Sequence, residues 1–159
     1  MIGRVLLRFI LVPLGAVTAV AAAGALIAVS QWNAFESLLG ASPEAREDYL
    51  FAFALASPLL FSVMSSWAHY TFVPAFAAAL AAEVFAIRSV LFHAGNGAVC
   101  ALLGWSLTRD LREEQHFMSN PTVLVGAGIA AGFVYWVVAG STAGFWKPLG
   151  ASRTAPPEP

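Results

Sequence analysis

Residues 49–108 form a run of sixty positions in which only Glu83 and Arg88 carry charge. At about 1.5 Å per helical residue that is roughly 90 Å of helix, or three crossings of a hydrocarbon core about 30 Å thick. A soluble domain of this length has no interior large enough to hide such a surface. The run therefore predicts a chain that folds in a lipid bilayer, as an all-α polytopic helical bundle.

Composition points the same way. The 159-residue chain is 59% hydrophobic and 11% charged, against a charged share of about 25% in ordinary soluble domains. The length suits one bundle, a single transmembrane domain over residues 1–147, with 148–159 expected to be a disordered C-terminal tail that has nothing to bury. A net charge of −1 supplies no basic stripe for phosphates, so nucleic acid is not an expected partner. Seven Arg against one Lys on an Ala-rich background is the bias of a high-GC bacterial genome, which would make the membrane an inner membrane. Cys100 is alone, so no internal disulfide exists, and in an apolar segment it reads as a small buried hydrophobe.

Five hydrophobic segments can be drawn, at 9–31, 47–67, 71–88, 90–108 and 121–141. Arg4 and Arg8 precede the first, whose apolar core is too long for a secretory signal and reads as a retained span. Trp32 closes it at headgroup level. Ser42-Pro43-Glu44 is a helix start: a capping hydroxyl, a proline at the first helical position and an acid at the positive dipole end. Pro58 predicts a kink, and Ala68–Thr71 a turn. The third segment either stops at Arg88-Ser89 or continues to a break at His93–Gly97, where Asn96-Gly97 is a turn signal. The second choice gives four full spans plus one broken or re-entrant segment. Residues 108–120 hold the densest charge and read as an aqueous loop. With five spans the basic residues divide four to four between the two sides. Arg4 and Arg8 abut the first span, which favours a cytoplasmic N-terminus.

Glu83 is the sharpest functional candidate. A carboxylate about 18 Å into a membrane helix is costly and marks a functional or protein-facing position. With Arg88, His93 and Asn96 it makes a candidate intramembrane polar site. Arg88 is five residues on, about 140° around the helix, so the two are not natural intrahelical partners. His69, His93 and His116 fall at three different depths, and none has a second ligand within a turn. Neither haem nor a metal is predicted. Gly126-Ala-Gly128-Ile-Ala-Ala-Gly132 has one residue too many for a dinucleotide fingerprint and no preceding strand. It reads better as helix packing, with Gly128/Gly132 and Gly140/Gly144 as close-approach pairs expected to meet the Ala-rich faces of the first and third helices.

No catalytic motif is present, and neither an enzymatic activity nor a cofactor is expected. Two functions remain. A non-catalytic accessory, assembly or scaffold subunit, with a membrane-protein partner or further copies of itself beside the lipid, fits the small size and small-residue faces. A small transporter or channel would use the Glu83/Arg88 site.

Overall fold

The computed structural model describes residues 2–107 and 121–144, without the side chains of 2–5, 34, 59, 60 and 63. The loop at 108–120, with His116, and the tail at 148–159 lie outside the described residues. The described chain is all-helical: α1 (Ile2–Ser30), α2 (Trp32–Leu39), α3 (Pro43–Phe85), α4 (Val90–Leu107), α5 (Pro121–Val138) and a 3-10 turn at Gly140–Thr142. Four stretches are long and apolar enough to cross a membrane: Leu6–Ser30, Met64–Phe85, Val90–Leu107 and Pro121–Val138.

α3 begins where the sequence places it. Ser42 is extended (ψ 157) and its Oγ accepts from the Ala45 amide at 3.3 Å, with Pro43 at the first helical position. The helix then runs for 43 residues through Pro58 and Pro74. Pro58 deprives the Ala54 carbonyl of its usual donor, and the Ser57 hydroxyl donates to that carbonyl at 2.8 Å. The turn expected at Ala68–Thr71 is absent. No residue there needs a left-handed backbone or interrupts the helical ladder. The segments drawn at 47–67 and 71–88 are thus parts of one helix.

The chain reverses at Ala86–Ser89 instead. Ala86 adopts φ 54, ψ 44 and ends α3, and the amides of Ala86 and Ile87 both reach the Ala82 carbonyl. A break at His93–Gly97 is also absent, because α4 is helical through it. Gly97 serves packing: a Cβ there would overlap the backbone carbonyl of Gly128. Gly128 sits equally close to the Gly97 carbonyl, and Gly132 to the His93 carbonyl. Descending pairs (93 with 132, 97 with 128) make α4 and α5 antiparallel at backbone contact, where van der Waals attraction is strongest for small residues. Gly128 and Gly132 therefore meet α4, and not the faces of the first and third segments.

α5 also packs along α1, where a Cβ on Gly15 would lie 3.0 Å from Ala139 Cβ and 3.2 Å from the Tyr135 ring. α3 packs along α4, with Trp67 and Thr71 against Gly104. The buried apolar residues are Ala19, Ala82, Cys100, Ala101, Leu124, Ala127, Ala139 and Ala143, while Phe, Leu, Ile and Val side chains point outward in large numbers. Small residues inside and large apolar ones outside invert the arrangement of a soluble domain. Such a surface suits helices that cross a membrane.

Candidate functional site

One end of the bundle gathers the polar groups that the apolar helices cannot leave unpaired. Arg8 enters from α1, Glu83 from the last turn of α3, Arg88 from the reversal, and His93 from the first turn of α4. The end of α5 and the residues after it, Tyr135 to Gly144, supply backbone and two aromatic rings.

Glu83 is held on both oxygens. Oε1 lies 3.2 Å from Arg8 Nη1, and Oε2 accepts from the Gly144 amide at 3.0 Å. The two side chains of the ion pair are only 11% and 13% exposed, so little water competes with it. Arg8 Nη1 also donates to the Ala139 carbonyl at 2.7 Å, whereas Nη2 is buried without a hydrogen-bond partner. The pair ties α1 to α3, and through Ala139 and Gly144 it fastens both to the end of α5. Carbonyls and amides at a helix end are orphaned and, away from water, need partners of this kind.

The reversal between α3 and α4 is closed in the same manner. The Trp136 indole Nε1 donates to the Arg88 carbonyl at 2.8 Å, and Arg88 Nε donates to the Ala143 carbonyl at 2.8 Å. His93 Nε2 lies 3.3 Å from the Ile87 carbonyl. A carbonyl can only accept, so Nε2 carries the proton in this contact. The His93 ring is buried between Phe92 (edge-on, 5.3 Å between centroids), Tyr135 (5.5 Å) and the backbone of Gly140. A Cβ on Gly140 would fall 2.7 Å from His93 Nε2.

Of the residues singled out from sequence, Glu83, Arg88 and His93 meet at this end. Glu83 pairs with Arg8, while Arg88 reaches the Ala143 carbonyl. Asn96 lies one turn deeper in α4, where its Oδ1 is 3.6 Å from the Cys100 thiol. Gly140 and Gly144, read as a helix–helix pair, lie beyond the end of α5. Gly140 begins the 3-10 turn, and Gly144, at φ 92, presents its amide to Glu83. A four-residue spacing carried the packing reading, and it fails because the helix stops at Val138. Sequence reasoning missed Arg8, which reads there as an orientation signal, and also Tyr135 and Trp136. Arg8 is one turn further into the apolar run than Arg4, a position that calls for a partner.

The arrangement is an interlock of charge-assisted and neutral hydrogen bonds. Among the described residues no three His, Cys, Asp or Glu side chains form a metal-binding group. No protein-family model matches the chain, and no curated protein or solved structure matches it significantly.

Proposed function

We propose that this chain is a non-catalytic accessory or scaffold subunit of a membrane assembly, crossing a bacterial inner membrane four times. The observation that carries the reading is the use made of its intramembrane charge. Arg8, Glu83 and Arg88 bond to each other or to the backbone of Ala139, Ala143 and Gly144. They fasten helix ends together, and the large apolar side chains are left facing outward for lipid or for partner helices.

Parity supports the count of four. Arg8 at the start of α1 contacts both Glu83 near the end of α3 and Ala139 after α5. Five crossings would put Arg8 on the opposite face from both. With four, among the described residues Arg4, Arg8 and Arg88 lie on the Arg8 side and Arg46 on the other. That three-to-one excess supports a cytoplasmic Arg8 side.

Purification from native membranes in a mild detergent, followed by native mass spectrometry, tests the subunit reading. Stoichiometric association with a larger membrane protein supports it, and a particle containing this chain alone, as monomer or homo-oligomer, counts against it. A second reading, a small transporter, draws on Arg8 Nη2, a buried donor left unpartnered beside a carboxylate. Under it, Glu83→Gln abolishes a pH-dependent flux in proteoliposomes while insertion is unchanged.

A further inference from the structure

The first half of α3 is longer than anything the bundle gives it to pack on. From Pro43 to Phe85 the helix measures about 64 Å, twice the hydrocarbon thickness. The 18-residue α4 runs back beside α3 and sets Gly104 against Trp67 and Thr71, so the part of α3 packed in the bundle ends near Trp67 and residues 43–63 extend about 31 Å of helix beyond it. That extension is not built for water. Tyr49, Leu50, Phe51, Phe53, Leu55 and Phe61 are each between 57% and 77% exposed. At 100° per residue they stand at about 0°, 100°, 200°, 40°, 240° and 120° around the axis. Apolar side chains therefore surround the helix, leaving no polar face to turn outward.

Resting on the four-crossing reading above, we infer that residues 49–63 form an arm embedded in the leaflet opposite the Arg8–Glu83 interlock, entering the hydrocarbon without crossing it. The occupant of the exposed surface is lipid acyl chain. A fifth crossing is out of reach. Ser30, about 33 Å along α1 from Arg8, lies on the Met64 side, and only Gln31–Ser42 separate it from Pro43. Eight of those residues are α2, about 12 Å long, and four extended residues add roughly 14 Å. That is short of the hydrocarbon core of about 30 Å, and it would drag Asn33 and Glu36 through it. Flat adsorption at the surface needs a polar face, which this helix lacks, and a single docked partner would cover one side only. A helix apolar on all sides is enclosed on all sides. Its backbone is satisfied internally, so hydrocarbon accepts it. The arm is framed by Glu44, Arg46, Glu47 and Asp48 at its start and by Ser65-Ser66-Trp67 at its end. Reaching the leaflet requires α3 to bend, and a serine pair at headgroup level is a suitable hinge.

Spin labels in a Cys100→Ala protein, reconstituted in phosphatidylglycerol/phosphatidylethanolamine nanodiscs, test this. Labels at positions 50 and 80 are about 45 Å apart on a straight α3 and about 32 Å apart if the arm turns by a right angle at Ser65-Ser66. A distance near 32 Å is expected, together with relaxation by oxygen rather than by a water-soluble nickel chelate at positions 53, 55 and 61. A distance near 45 Å, or chelate access at those sites, overturns the arm. A site shielded from both reagents overturns it in favour of a protein partner or a second copy. A distance below about 20 Å overturns it in favour of a crossing hairpin. Sidedness of a cysteine at Ser89, measured in parallel, shows whether the four-crossing reading has failed as well.

Discussion

Breaking the Arg8–Glu83 pair from one side should cost more than removing it altogether. Both side chains are nearly buried, so a charge stranded by its partner's loss keeps most of its desolvation penalty, which for buried pairs is about 3–5 kcal/mol. Arg8→Met leaves the Glu83 carboxylate with the Gly144 amide alone, and the expected loss is about 3 kcal/mol, the low end of that range. Glu83→Gln retains an acceptor for Gly144 and leaves Arg8 on the Ala139 carbonyl, so its loss should be about 2 kcal/mol, the worth of a hydrogen bond to a charged group. In the double variant neither charge remains, and the loss should fall to about 2 kcal/mol or less. The double variant is then more stable than Arg8→Met by itself. Unfolding by sodium dodecyl sulfate from dodecyl maltoside micelles, followed by circular dichroism, gives the cycle. Additive losses, or single losses below about 0.5 kcal/mol, would refute an interlock and reduce the pair to a surface contact.

The same unfolding curves check three further expectations. Ala86→Gly should stabilise the protein by about 1 kcal/mol, because the left-handed backbone at φ 54 penalises a Cβ and suits glycine. Gly97→Val and Gly128→Val should each lose about 3 kcal/mol or more and broaden the transition, since either side chain overlaps the facing backbone and α4 and α5 must separate. Trp136→Phe should lose about 1 kcal/mol by removing the donor to the Arg88 carbonyl, with the helical content unchanged.

The membrane class and the helix start at Ser42-Pro43 were legible in the sequence because both depend on neighbours along the chain: hydropathy over a window, and a cap with its proline. The reversals were less so. Ala68–Thr71, with His69 and Tyr70, reads as a turn because it interrupts an apolar run, yet aromatic residues at the headgroup level can sit on an uninterrupted helix. Asn96-Gly97 has the chemistry of a tight turn, and the choice went to packing, since only a glycine lets α4 meet the backbone of Gly128. The true reversal uses Ala86, a residue with no turn signature, in a turn held by distant partners: Trp136 on the Arg88 carbonyl and the Ala143 carbonyl on the Arg88 side chain. Glu83 stood out as a lone buried acid, while its partner Arg8 did not. Their meeting depends on how many times the intervening chain crosses, and local pattern does not encode that number.

Parity is accordingly the most direct test. Single cysteines at Gly3, Gln31 and Ser89, in a Cys100→Ala background, can be labelled with a membrane-impermeant maleimide in right-side-out and inverted vesicles. Four crossings closed by the Arg8–Glu83 interlock predict that positions 3 and 89 label from the same side, the cytoplasmic one, and position 31 from the other. Labelling of position 89 together with position 31, opposite to position 3, would contradict the account.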